Sequence, residues 1–418
     1  MPLPPLYETS PFGVLSLVQK CTSISSLKKA RQLHALILAT TTVSLRMPFV
    51  HNNILSMYAR SGSLKDSQLV FDKMPQRNIV SFNALITAYS RVPDHAISAI
   101  KLYTQMESGC QSPNSLTFTS LLQASSLLED LLAGSSLHAQ AVKFGFLDEI
   151  CVQTSLLGMY SNCGNLGSAE KVFVDISDKD VVAWNSLILG NLKNGNIRAG
   201  LQGFVDMVRV GVVPTEFTYS MILNACSRLN DNQLGQLIHA QIIVTNMLAD
   251  LPLQNVLLDM YCNSGDTQTA SRIFSGMEST DLVSWNSMIS GYSEKEEVEN
   301  AMNLFVQLLG QCSPKPDEYT YAALICATNS FPASDYGKPL HAQVMKTGHE
   351  GSVFVGSTLV CMYFKNGETE AAQKVFCSIS HKDIVLCTEM IAGYSRMADP
   401  RRAISFYSEM CHKGYEGR

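Results

Sequence analysis

The stretch Leu282–Asp317, LVSWNSMISGYSEKEEVENAMNLFVQLLGQCSPKPD, decides the fold. Trp285, Met288, Ile289 and Tyr292 make one apolar stripe, and Ala301, Leu304, Phe305 and Leu308 make a second. Apolar residues at i, i+3, i+4 and i+7 mark the buried face of a helix rather than a strand. The stretch therefore reads as two short amphipathic helices, closed by Pro316-Asp317. A pair this small cannot bury its apolar face alone, so it needs neighbours of the same kind.

The sequence supplies them. Met-Tyr recurs at Met57-Tyr58, Met159-Tyr160, Met260-Tyr261 and Met362-Tyr363, in steps of 102, 101 and 102. An aromatic residue followed by Asn recurs at Phe82-Asn83, Trp184-Asn185 and Trp285-Asn286, in steps of 102 and 101. His-Ala recurs at His34-Ala35, His138-Ala139, His239-Ala240 and His341-Ala342, in steps of 104, 101 and 102. Three unrelated dipeptides share one period, and a shared period is the signature of a repeat architecture. Each period divides into helix pairs of 35, 35 and 31 residues, as in 181–215, 216–250 and 251–281.

After a leader at 1–10, twelve units follow: 11–47, 48–78, 79–114, 115–149, 150–180, 181–215, 216–250, 251–281, 282–317, 318–352, 353–383 and 384–418. Stacked pairs share a continuous core, so the expected fold is all-α, a right-handed α-solenoid. The third residue of many units is Ser or Thr (Ser81, Thr117, Thr218, Ser284, Thr320), which reads as a helix N-cap. The last unit stops at Glu416-Gly417-Arg418 with no polar capping helix, so the chain reads as cut short.

Composition narrows the class. Charged residues make up 16% of the chain and hydrophobic residues 46%, which argues against a disordered segment. No stretch approaches the roughly 20 consecutive apolar residues of a spanning helix. Twelve cysteines without a Cys-x-x-Cys pair make neither a disulfide scaffold nor a zinc site, and they point to a reducing compartment. With 31 Lys and Arg against 36 Asp and Glu, the net charge of −5 disfavours any partner gripped through phosphate charge alone.

The units resemble pentatricopeptide repeats, and the 35/35/31 alternation resembles the plant P-L-S subclass. The P type is carried by Val182-Ala183-Trp184-Asn185-Ser186-Leu187-Ile188 and by Val283-Ser284-Trp285-Asn286. The L type is carried by Leu137-His138-Ala139-Gln140 and Leu340-His341-Ala342-Gln343, and the S type by Leu55-Ser56-Met57-Tyr58 and Val360-Cys361-Met362-Tyr363. The resemblance covers residues 11–418.

It implies sequence-specific binding of single-stranded organellar RNA, one base per repeat. In the family, bases are read by the fifth and last residues of a unit and packed by the second. Carried over, the reading pairs are Asn52 with Asn78, Asn83 with Asn114, Thr154 with Asp180, Asn185 with Thr215, Asn255 with Asp281, Asn286 with Asp317, and Ser357 with Asp383. The packing residues are Phe49, Val80, Cys151, Val182, Val283 and Phe354, with Pro252 departing from the usual aliphatic type. The implied 5′ to 3′ order is C, C or U, any, G, pyrimidine, any, U, U, any, purine. The L-type pairs, such as Thr119 with Glu149 and Ser220 with Asp250, imply no defined base. Without the resemblance, the same side chains also read as first-turn and turn-forming residues.

The resemblance further implies a role in cytidine-to-uridine editing or other RNA processing, beside a deaminase-bearing or editing-complex protein, with no membrane partner. No His-x-Glu element and no Cys-x-x-Cys is present, so the zinc deaminase signature is missing and no metal or cofactor is expected. There is no Walker-type loop. The reading is a recognition module rather than an enzyme. The family prior favours the mitochondrion, with the chloroplast as the alternative, although residues 1–19 hold no Lys or Arg and include Glu8, unlike an Arg-rich transit peptide. The competing reading is a helical-repeat scaffold for protein partners, like the tetratricopeptide family, whose units keep a constant length of 34 residues.

Overall fold

The structure is a computed structural model that describes residues 17–40, 48–328 and 333–412. The leader at 1–10 and the chain end at 413–418 lie outside the described residues. All regular elements among the described residues are helices. The chain divides into two compact units, Met1–Pro214 and Thr215–Arg418, each a stack of helix pairs.

In the first unit, the leading helices of successive pairs are Pro48–Arg60, Ile79–Tyr89, Ser115–Leu127, Ile150–Asn162 and Val181–Lys193. Their partners are Leu64–Asp72, Ala96–Ser108, Leu131–Phe144, Leu166–Asp175 and Ile197–Arg209, and Leu27–Thr40 completes the pair before them. In the second unit, the leading helices are Glu216–Leu229, Leu251–Asn263, Leu282–Glu294, Glu318–Ala327, Val353–Lys365 and Ile384–Arg396. Their partners are Asn232–Val244, Thr267–Gly276, Val298–Leu309, Lys338–Lys346, Thr369–Ser378 and Pro400–His412. Within each unit every leading helix packs on the next leading helix and on its own partner, so the leading helices form one layer.

Most of the described turns inside a pair place one residue in the left-handed region, which glycine enters without a Cβ penalty. Gly62, Gly164, Gly195, Gly265 and Gly367 supply it, at φ between 75° and 81°. At Gly164 the turn closes with Asn165 N–H donating to the Tyr160 carbonyl at 2.9 Å.

The three periodic dipeptides are the packing between pairs. Three of the four Met residues of Met-Tyr seat on a glycine of the preceding pair: Met159 on Gly134 and Met260 on Gly235, both inside the partner helix, and Met362 on Gly337, just ahead of it. A Cβ at Gly235 would stand 2.6 Å from the Met260 sulfur, so the Met side chain in this position needs the room that glycine leaves. Each Tyr hydroxyl meets the Nδ1 of the repeating histidine, at 2.9 Å for His34–Tyr58, 2.8 Å for His138–Tyr160, 2.9 Å for His239–Tyr261 and 2.8 Å for His341–Tyr363. The two rings meet edge to face at 5.5 to 5.7 Å. The Trp of the aromatic-Asn pair meets an upstream Phe in the same way, Phe173–Trp184 at 4.8 Å and Phe274–Trp285 at 4.9 Å. In the second unit the buried residues from Trp285 to Ala403 form one connected core, as a stack that shares its apolar faces requires.

One expectation fails in the structure. The third-position Ser and Thr residues are not N-caps. The cap is the residue just ahead of each helix: Asn78, Asn114, Thr215, Asp281 and Asp317. Ser81, Thr117, Thr218, Ser284 and Thr320 stand three residues further in and close a capping box. Both partners are short polar side chains, and the N–H groups of the first helical turn lie within reach of the outer one.

Candidate nucleic-acid interface

The last residue of a unit is therefore the N-cap of the next leading helix. Asn78, Asn114, Asp180, Asp281, Asp317 and Asp383 accept the backbone N–H of the residue three positions on, at 2.8 to 3.1 Å. Thr215 does so at 3.4 Å. Such a cap is worth about 1 kcal/mol. It also aims the side chain, because a group tied to a helix N–H has little freedom left.

The fifth residue lies on the next turn of the preceding leading helix, and in four units its amide reaches this cap. Nδ2 of Asn52 donates to Asn78 Oδ1 at 3.3 Å, and that of Asn83 to Asn114 Oδ1 at 2.9 Å. Nδ2 of Asn255 donates to Asp281 Oδ1 at 3.0 Å, and that of Asn286 to Asp317 Oδ1 at 3.1 Å. These residues are 26 or 31 positions apart in sequence. Asn52, Asn83 and Asn255 are buried, at 7%, 4% and 7% exposure, yet their neighbours at the amide are polar.

The other pairs differ. Thr154 donates its hydroxyl to Ile150 O at 2.9 Å, and Ser357 donates to Phe354 O at 2.9 Å, rather than to Asp180 and Asp383. Asn185 is half-buried on Val181–Lys193 in the first unit, whereas Thr215 opens the second unit.

Asp281 shows the electrostatics of a paired cap. Burial raises its carboxyl pKa, but hydrogen bonds from the Ser284 backbone, the Asn255 amide and the Val283 N–H, with the Ser284 hydroxyl 3.0 Å away, outweigh burial. The carboxyl is held below its ordinary value and stays ionised at neutral pH.

Among the described residues, the second residue of each unit from 48–78 onward is apolar and open to solvent. Phe49, Val80, Leu116, Val182, Phe217, Val283, Tyr319, Phe354 and Val385 are 46% to 59% exposed, and Cys151 and Pro252 are exposed as well. Isolated exposed apolar side chains are ordinary on a protein surface. One at the same register of each described leading helix from Pro48–Arg60 onward makes a patterned face, a candidate binding surface.

A cleft of about 850 Å³ in the first unit shows how these positions combine. Asn83 and Asn114 line it together with Val80, Leu116, Arg60, Arg91, Lys65 and His95. The Asn83–Asn114 couple, the apolar side chains flanking it and a set of basic groups face one space, of a size that admits a small ligand. Leu116, Phe217 and Tyr319, the second residues of L units, were absent from the sequence-based set. So were the exposed basic residues at the thirteenth position: Arg60, Arg91, Lys193, Arg228, Lys365 and Arg396. Counting along the units finds the apolar row, and a basic residue at the thirteenth position in six of them, where other units carry Leu127, Asn162, Asn263 and Glu294.

Sequence profiles of pentatricopeptide repeats match much of the chain. The profile described as PPR repeat family matches residues 77–126, 179–228 and 280–328, and the one described as PPR repeat matches 49–79, 255–281, 357–384 and 385–415. A pentatricopeptide repeat-containing protein of Arabidopsis thaliana named as chloroplastic is 30% identical over 94% of this chain and 48% of its own length. Another, named as mitochondrial, is 30% identical over 94% of this chain and 45% of its own. A third Arabidopsis thaliana relative, named as a pentatricopeptide repeat-containing protein of unproven status, is 32% identical over 96% of this chain and 72% of its own. The chain thus spans about half the length of the first two. The crystal structure of the pentatricopeptide repeat protein PPR10 in complex with an 18-nt psaJ RNA element shares the fold, with a TM-score of 0.73 and 17% identity over 97% of this chain and 60% of that one. The repeats, their helix pairs and the 32% identity across most of that third relative leave one assignment: the chain belongs to the pentatricopeptide repeat family.

Proposed function

We propose that this chain binds single-stranded RNA by base sequence, one base per repeat, and serves as the recognition part of an organellar RNA editing or processing factor. The observation that carries the reading is the hydrogen-bonded couple of fifth and last residues, set beside an exposed apolar second residue. A base lying on that apolar side chain has its edge opposite an amide and a fixed cap oxygen. An amide both donates and accepts, as recognition of a pyrimidine edge requires, whereas an oxygen that only accepts suits a base that donates. The pairs are assigned C for Asn52 with Asn78, C or U for Asn83 with Asn114, G for Thr154 with Asp180, U for Asn255 with Asp281 and for Asn286 with Asp317, and purine for Ser357 with Asp383. Asn185 with Thr215 is assigned a pyrimidine.

Similarity supports the partner class, since the matching fold has been crystallised with RNA in PPR10. The exposed basic residues at the thirteenth position supply local phosphate contacts that a net charge of −5 conceals. The organelle is inferred from relatives named as chloroplastic and mitochondrial, and a fluorescent fusion of the full reading frame decides between the two. The binding test is anisotropy of a labelled 10-nucleotide RNA in the order C, C, A, G, U, A, U, U, A, A against a scrambled order at fixed salt. Tighter binding of the ordered RNA is expected. Equal binding overturns the proposal and favours a protein-binding scaffold.

A further inference from the structure

In each unit with a paired asparagine, that asparagine has a second partner. Its amide oxygen accepts a hydroxyl from the third residue of the next unit: Ser81 to Asn52 at 2.7 Å, Thr117 to Asn83 at 2.7 Å, Ser284 to Asn255 at 2.6 Å and Thr320 to Asn286 at 2.6 Å. These are the shortest bonds of the cluster. The same hydroxyl oxygen accepts the N–H of the cap residue, at 3.1 to 3.2 Å, and has one proton to give; the cap oxygen stands 2.9 to 3.0 Å from it, and the shorter distance assigns the proton to the asparagine oxygen. A closed ring results. The helix N–H groups fix the cap oxygen and the hydroxyl, and these two fix the two ends of the asparagine amide.

Sequence follows the same rule throughout. Where the fifth residue is Asn (Asn52, Asn83, Asn185, Asn255, Asn286), the next third residue is Ser81, Thr117, Thr218, Ser284 or Thr320. Where it is Thr119, Thr154, Ser220, Ala322 or Ser357, the next third residue is Val152, Ala183, Leu253, Val355 or Leu386, all without a hydroxyl. The fifth-position hydroxyls then give their protons to their own helix: Thr119 to Ser115 O at 2.7 Å, Ser220 to Glu216 O at 2.8 Å, Thr154 to Ile150 O and Ser357 to Phe354 O at 2.9 Å each. Helix capping does not explain this split. Asp180 and Asp383 cap their helices with Ala183 and Leu386 at the third position.

We propose that the third residue of each unit is a specificity-determining positioning residue for the preceding unit, so that base choice is set by three side chains rather than two. This rests on the base-reading role proposed above. With a hydroxyl, the asparagine amide is clamped in one orientation and presents one remaining N–H and one remaining oxygen lone pair, a pattern that fits a pyrimidine. Without it, a fifth-position hydroxyl has already spent its proton on the helix and presents oxygen alone, which selects a base that donates. Ser284→Ala would leave the Asn255 oxygen short of a donor and open to any base N–H.

The test is a panel of RNAs carrying each of the four bases opposite the Asn255–Asp281 couple, bound by the full chain and by Ser284→Ala, Ser284→Thr and Ala183→Ser. Ser284→Ala is expected to lower discrimination at that base by about tenfold, the worth of roughly one hydrogen bond. Discrimination at the other bases stays unchanged, and Ser284→Thr restores the wild-type pattern. Ala183→Ser leaves the preference opposite Thr154 unchanged, because the Thr154 proton is already committed. Asn255→Thr should switch preference more fully when combined with Ser284→Ala than alone. If Ser284→Ala weakens all RNAs equally, or leaves discrimination intact, the third residue only caps the helix and the inference is overturned. If the wild-type chain does not discriminate at that base, the failure belongs to the base-reading role itself.

Discussion

Gly393 lies against the ring of Phe364, and a Cβ at that position would stand 2.1 to 2.4 Å from three of the ring atoms. The contact joins two leading helices of the second unit, Val353–Lys365 and Ile384–Arg396. Gly190 on Ser161 and Gly291 on Cys262 make the same approach, with a Cβ falling 2.5 and 2.6 Å from the facing side-chain Cβ.

Helix propensity and packing oppose each other at these glycines. Gly→Ala inside a helix gains roughly 0.5–1 kcal/mol, whereas forcing a methyl into a filled interface costs roughly 1–3 kcal/mol. Gly393→Ala is expected to lower stability by about 1–2 kcal/mol, read as the urea midpoint. Gly158, on the leading helix Ile150–Asn162, has open space beside it, so Gly158→Ala should raise the midpoint by the propensity gain alone. Equal shifts at the two sites would refute the packing account.

The four His–Tyr couples predict a pH response. Burial holds His34, His138, His239 and His341 below the ordinary histidine value of 6.5. A lowered folded pKa means that the unfolded chain binds protons first as pH falls. Stability is then fully present above about 6.5 and is lost as pH drops through the depressed folded values. Thermal melts between about pH 8 and pH 5 should show this loss. The combined His138→Gln and His239→Gln variant should show a shallower slope; an unchanged slope would place the acid response elsewhere.

Phe49 and Phe354 are about half-exposed, so trimming them removes little buried area. Phe49→Ala with Phe354→Ala should change stability by less than about 0.5 kcal/mol each. RNA affinity should fall by roughly 1–3 kcal/mol per site if these rings carry bases, by analogy with aromatic stacking on single strands. Filter binding beside a melting curve separates the two effects. Unchanged affinity would remove the second residues from the interface.

Much of the fold was legible because period and helical spacing are properties of the linear sequence. Met159, His138 and Trp184 announced themselves by recurrence, but what they touch did not. Gly134 under Met159 needs the knowledge that the partner helix of one pair meets the leading helix of the next. The cap was misplaced by three residues because Asp281 and Ser284 are both good capping types, and a capping box uses both. The reading couples were legible only through resemblance, since nothing local links Asn255 to Asp281. The hydroxyl that closes the ring, Ser284 on Asn255, joins residues 29 apart and required coordinates.

The central claim is that the fifth and last residues choose bases, and a paired swap tests it most directly. Asn255→Thr with Asn286→Thr converts both U-assigned couples to the Thr with Asp combination found at Thr154 and Asp180. Binding to RNA with U at both positions should weaken by on the order of 1–3 kcal/mol per mismatch, as for base readout in DNA. RNA with G at both positions should become the tighter ligand. If the variant still prefers U at both positions with unchanged affinity, the assigned couples do not read bases.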